Sequence, residues 1–185
     1  MSWRAVLGVA SAKVVRAAAR LNPVAPRWLS GRERAVLRSV FADSVDLNAI
    51  QVRERITGLI NLSRSAFVIE NTMFVPGSYL PLPDSILVHE CTHVWQFQHG
   101  GHAYIGDSLH AQTVGDGYDL AKGLREGRSW AQFNCEQQAT LIEKAFAQGC
   151  FEGRPLIIDG RDATASFESA LVALRAGSGA VGAHN

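Results

Sequence analysis

The sequence has three cysteines, Cys91, Cys135 and Cys150, an odd number with no C-x-x-C spacing. That excludes a disulfide framework and a thiolate-built structural zinc site, and it suits a reducing compartment. An excess of charge is missing too. With 18 basic against 17 acidic residues the net charge is +1, and no array interleaves bases with aromatics, so a nucleic-acid partner is not expected. No apolar run approaches the roughly 20 residues of a bilayer span, and no internal repeat is visible. What is present is ordinary: 185 residues, 47% hydrophobic and 19% charged, which is one globular domain able to bury about 70% of its unfolded surface.

The informative segment is His89-Glu90-Cys91-Thr92-His93. On a helix, His89 and His93 lie one turn apart on one stripe, about 5–6 Å between Cβ atoms, so both imidazoles can reach one ion. Glu90 falls roughly 100° around the helix, where a carboxylate can bind the metal's water instead of the metal. This is the H-E-x-x-H arrangement of zinc peptidases. The flanks make it helical. Pro81-Leu-Pro-Asp-Ser85 supplies a stop and then capping residues, so the helix is expected to begin at Asp84 or Ser85. Gly100-Gly101 ends it, with His99 in its last turn. Cys91 points away from the histidine stripe and reads as a small buried hydrophobe.

A catalytic zinc needs a third protein ligand and an open position. Ser129 with Gln132 makes a capping box, and a helix of about five turns is expected from there to Gly149, with Cys135, Ala139, Ile142 and Phe146 as its core stripe. Glu136 borders that stripe and is the leading third ligand. Glu143, two turns on, is the fallback, and Asp107, Asp116, His102 and His110 are the other candidates. A ferritin-like di-iron centre is disfavoured, because Glu136 is followed three residues on by Ala139 and not by a second histidine. Tyr104, His102, His110 and Tyr118 fall between the two metal-bearing segments. Tyr104 and Tyr118 are the candidate donors to a transition-state oxyanion.

Ala66–Glu70 and Thr72–Val75 read as a strand pair or one bent strand around Asn71, and Ala49–Arg53 as an earlier strand. An open sheet edge beside the metal could take a substrate backbone as an added strand, which makes Phe67, Ile69 and Phe74 the candidate substrate-binding residues. Residues 1–28 form a separate arm in this reading. Residues 1–20 are expected to be an amphipathic helix seeking the domain, a membrane surface or a protein partner, since the apolar run is too short for a convincing signal peptide. Pro23 and Pro26 separate it from a short helix at Gly31–Val40, Arg161–Ala176 forms a last helix, and 177–185 is a glycine-rich tail expected to be mobile. The domain proper is then 29–176, in a cytoplasmic protein or one exported by a non-classical route.

Phe41-Ala-Asp-Ser-Val-Asp-Leu-Asn-Ala-Ile-Gln-Val52, Asn71-Thr-Met-Phe-Val-Pro-Gly77 and Ile86-Leu-Val-His-Glu-Cys-Thr-His-Val-Trp-Gln96 follow one another in an order that resembles the zincin-like metallopeptidase domains found near bacterial contractile injection and type VI secretion systems. Phe133-Asn-Cys-Glu136-Gln-Gln-Ala139 is similar to the downstream helix of related gluzincin-type domains. The resemblance covers residues 41–146. It implies an α+β zincin-like fold, a small mostly antiparallel sheet carrying the H-E-x-x-H helix and a second ligand-bearing helix. It also implies Zn2+ at His89, His93 and Glu136, with Glu90 as base. Two functions fit: a zinc-dependent endopeptidase acting on a peptide or protein substrate, and a zincin-shaped accessory or scaffold module of a secretion system whose fourth coordination position is plugged by His102, His110 or Asp107.

Overall fold

The computed structural model describes residues 25–55, 66–113 and 117–183, so the expected helix over 1–20 lies outside the described residues. Strand β1 (Arg27–Trp28) leads into helix α1 (Gly31–Phe41), then β2 (Gln51–Arg55), β3 (Phe67–Ile69) and β4 (Thr72–Pro76). Helices α2 (Asp84–Gly100), α3 (Ala103–Thr113), α4 (Leu120–Arg125) and α5 (Cys135–Ala147) follow, then a small hairpin of β5 (Ile157–Ile158) and β6 (Arg161–Asp162), and α6 (Thr164–Arg175).

The four-stranded sheet has the order β1-β2-β4-β3. β1 pairs antiparallel with β2 and β3 with β4, but the central β2–β4 pair is parallel, in the register Val52 to Met73. Two of the three pairings are thus antiparallel, as expected, and the parallel central pair makes the sheet mixed. Alternation of side chains fixes which face each strand buries and leaves its neighbours undetermined, which is why the parallel pair was not legible.

α1 begins on a capping box: Glu33 N–H donates to Ser30 Oγ, and Ser30 N–H to Glu33 Oε2 at 2.8 Å. Arg27 of β1 grips both oxygens of Glu33, at 2.8 and 2.7 Å. This ties residues 27 and 28 to the domain, so the boundary expected after residue 28 falls inside the sheet instead. Burial alone would raise the Glu33 carboxyl, but Arg27 and Ser30 outweigh it and hold it at about 2. Its charged form is thus favoured in the folded state. The stability it contributes is present above the ordinary carboxylate value and is lost as pH falls toward about 2. Glu33→Ala is expected to cost about 2 kcal/mol at neutral pH, the loss of a cap and a charge-assisted pair, and the difference from wild type should shrink in acid melts.

α2 is the central element, packed on α1, α3 and α5 and against β3 and β4. Pro83 occupies its N-cap position, and Asp84, expected as a cap, sits in the first turn and pairs with Arg32 of α1 at 2.8 Å. Gly101, at φ +69, closes it by donating its N–H to Phe97 O. The core runs through Leu37, Phe41, Ile50, Met73, Leu87 and Trp95, all fully buried, and Cys91 is buried among them. Trp95 Nε1 donates to Leu174 O at 3.0 Å, and Arg175 donates to Ser39 O and Val40 O, so α6 is pinned to α2 and to the C-terminal end of α1.

Three further elements differ from expectation. The capping box at Ser129 opens only a short 3-10 turn (Trp130–Gln132), and α5 starts afresh on a second box, Asn134 with Gln137. Helix α3 occupies the stretch between the two metal-bearing segments, for which no element is expected from the sequence; Gly106 and Ser108 interrupt its apolar pattern. Segment 177–183 is docked, not mobile: Trp130 Nε1 donates to Ser178 O at 3.1 Å, and Ala180 is buried.

Candidate metal centre

Two helices build the site. α2 presents His89 and His93 one turn apart, their ring centroids 5.1 Å from one another. The first turn of α5 brings Glu136 between them. Glu136 Oε2 lies 3.7 Å from His89 Nε2 and 3.5 Å from His93 Nε2, and one ligand atom from each of the three residues lies within 4.8 Å of the others. A tetrahedral ion with bonds of about 2.0–2.2 Å spaces its ligand atoms by about 3.3–3.6 Å, so the 3.5 Å separation fits one zinc-sized ion and the 3.7 Å separation lies just beyond that spacing. Two neutral imidazoles and a carboxylate are also the donor set that zinc takes in hydrolytic sites.

The placement of Glu136 is over-determined. Asn134 caps α5, and Asp107 Oδ2 accepts the Cys135 N–H at 2.8 Å, clamping α3 to the helix start. From the next residue of α3, the Ser108 hydroxyl donates to Glu136 Oε1. Burial would raise the Glu136 carboxyl, but His93, His89 and Ser108 outweigh it and hold it well below the usual carboxylate range. For His89, burial disfavours the imidazolium, yet Glu136 and Glu143 outweigh that and hold the metal-free ring at about 10.

Both imidazoles are held from behind. His89 Nδ1 lies 2.9 Å from Glu143 Oε2 and His93 Nδ1 lies 2.8 Å from Gln96 Oε1, so each ring donates at Nδ1 and turns Nε2 toward Glu136. Glu143, the fallback ligand, is therefore an orienting carboxylate behind His89. Gln96 went unnoticed in the sequence, though its place three residues after His93 on the same helix face was a usable signal.

Glu90 is buried, and among the described residues its Oε2 has no hydrogen-bond partner. Burial raises its carboxyl above the ordinary value, with His89 and His93 pulling against that. An orphaned buried carboxylate oxygen beside three converging ligand atoms is what a site awaiting a water or an ion looks like.

The two tyrosines divide. Tyr104 is buried with its ring over His93, centroids 6.1 Å apart, but its hydroxyl donates to Val68 O and accepts the Glu70 N–H, both at 3.1 Å. Its donor is committed to backbone. Tyr118 is 52% exposed, its ring 6.4 Å from that of His89, and its hydroxyl bonds to the Glu136 carboxylate. Burial and the Glu136 and Glu90 charges push its phenol above the usual value, so it stays a donor.

The candidate substrate edge is also altered. β3 lies at the end of the sheet, and Val68 O and Glu70 N are groups on its outer edge, already taken by Tyr104. Ile69 and Phe74 are buried against Tyr104, Ile105 and Cys135; Phe67 stacks on Phe74 at 5.0 Å and is half-buried. Ile69 and Phe74 are core residues here, not open substrate contacts. Of the residues considered as alternative ligands or plugs, His102 pairs with Glu70 at 2.8 Å and Asp107 is spent on Cys135, while Asp116 lies outside the described residues.

No family model matches the chain. It is 24% identical over 141 residues to the type VI secretion system spike protein VgrG2b of Pseudomonas aeruginosa, an alignment that spans 67% of this chain and 13% of that protein. Among solved structures it matches the effector domain of the same VgrG2b with a TM-score of 0.50 and 22% identity, covering 91% of this chain and 97% of that domain. The chain has the fold of that effector domain. In this chain that fold is a mixed α+β arrangement in which a small sheet backs the histidine-bearing helix.

Proposed function

We propose that this protein is a zinc-dependent peptidase that hydrolyses internal bonds of a peptide or protein substrate, as an effector-type domain associated with a type VI secretion system and exported by that non-classical route. The observation that carries the proposal is the convergence of His89, His93 and Glu136 beside the buried Glu90, whose Oε2 has no hydrogen-bond partner among the described residues. The likeness to the VgrG2b effector domain supports the secretion context.

His89, His93 and Glu136 would hold the ion. Zinc bound there supplies Lewis-acid polarisation of a carbonyl and acidification of a water. Glu90 then acts as the base: its buried carboxylate, with Oε2 unengaged, takes the proton of the attacking water and passes it to the leaving amine. Glu143 and Gln96 keep the two rings oriented. Tyr118, exposed at the rim and protonated, can turn its hydroxyl from Glu136 to the oxyanion that develops on the scissile carbonyl.

Purified protein should contain one zinc per chain, and His89→Ala should lack it. The wild type should cleave an unfolded protein or a broad peptide library, lose that activity to a chelator and regain it with zinc. A metal-replete wild type that cleaves nothing would favour the accessory-module reading. Tyr118→Phe should lower kcat by about tenfold with zinc content intact, less than a buried, fixed oxyanion donor contributes. An unchanged kcat would remove Tyr118 from the mechanism.

A further inference from the structure

Behind His93 lies a chain of buried amides whose orientation is fixed from the far end. Gln138 Nε2 donates to two backbone carbonyls, Trp130 O at 2.9 Å and Gly179 O at 2.8 Å. Carbonyls only accept, so the Gln138 amide cannot be reversed, and its Oε1 must face the other way. There it accepts from Gln96 Nε2 at 2.9 Å, and Gln96 Nε2 gives its second proton to Cys135 O, also at 2.9 Å. Gln96 is thereby fixed with Oε1 toward His93 Nδ1, 2.8 Å away. An oxygen at that place requires a proton on Nδ1, so Nε2, the nitrogen facing Glu136, is the one left to ligate an ion. Both glutamines are fully buried, so no water substitutes for a missing link.

The anchor of this chain is segment 177–183. Gly179 sits at φ +78, and a Cβ there would approach the Trp130 ring to 2.7 Å, so glycine is what lets the carbonyl reach Gln138. Trp130 Nε1, bonded to Ser178 O, holds the segment in place.

We propose that Gln96 and Gln138 are positioning residues that lock His93 in its Nδ1–H form, and that segment 177–183, through the Gly179 carbonyl, thereby sets the metal affinity of a site more than forty positions away in sequence. The proposal rests on the reading of His93 as a ligand. A merely structural role for the two amides would lower the melting temperature and leave affinity alone. The relay instead predicts lowered affinity in a protein that is still folded, because a ring free to adopt either tautomer or to turn must be reordered before it can ligate.

The test uses the full chain and three variants, Gln96→Met, Gln138→Met and Leu37→Ala, the last a buried core residue of α1 outside the relay. Zinc affinity is measured by competition with a chromophoric chelator, and the His93 Nδ1–H proton is followed by NMR in metal-free protein. Gln96→Met should weaken zinc binding by about 10–100-fold and Gln138→Met by about tenfold, the range for orienting partners of ligating histidines. In both, the Nδ1–H resonance should be lost to exchange with water. Leu37→Ala should melt earlier with affinity and resonance intact. Unchanged affinity in both glutamine variants, with lower melting temperatures, would overturn the relay. Should the wild type bind no zinc, the ligand reading fails, and the Nδ1–H resonance still decides the relay: persistence of that signal in Gln96→Met and Gln138→Met would overturn it.

Discussion

Glu90→Gln should yield a folded protein that still takes up zinc and cleaves peptides about 10²–10⁴-fold more slowly, the usual contribution of a general base. The amide is nearly isosteric but cannot accept the proton of water. In the metal-free protein burial raises the Glu90 carboxyl above its ordinary value. The sign for stability follows: a carboxyl raised in the folded state destabilises once ionised, so at neutral pH the metal-free variant should melt no lower than wild type. Loss of zinc from Glu90→Gln would make this residue a ligand and end the peptidase proposal.

The opposite pattern is expected at Glu136. There Glu136→Gln should lower zinc affinity by about 10–100-fold or more, since an anionic ligand becomes a neutral one. The His89 and His93 partners hold the Glu136 carboxyl low, so its charge stabilises the metal-free fold above the ordinary carboxylate value, a contribution lost in acid. The metal-free variant should therefore melt lower than wild type at neutral pH, and the gap should close on acidification. Two adjacent carboxylates thus separate by sign in one melting experiment. Full zinc occupancy in Glu136→Gln would shift the third ligand elsewhere, with Glu143→Gln measured next.

The ligand helix was legible because its signals are local. Prolines before it, glycines after it and two histidines four apart place α2 to within a residue or so. Glu136 was legible as a carboxylate bordering a core stripe. What escaped depends on contacts distant in sequence. The hydroxyl of Tyr104 is taken by strand β3, some 34 residues upstream, which no spacing reveals. Segment 177–183 has a composition typical of mobile tails, yet Trp130 and Gln138 bind its carbonyls. The split before α5 turns on Asn134 and Gln137, a capping box hidden because Ser129 and Gln132 offered an equally good one five residues earlier.

The phenol of Tyr104 has a bearing on how the protein behaves at high concentration. Phe67-Val-Ile and Thr72-Met-Phe-Val form a low-charge, β-prone hairpin of the sort that recruits copies of itself when an outer row of amides and carbonyls is left open. Side-chain capture of Val68 O and Glu70 N removes two places from that row, and the positive φ of Glu70 turns the backbone away just beyond it. Tyr104, offered by the sequence as a candidate oxyanion donor, thus closes part of the outer edge of β3 to strand addition.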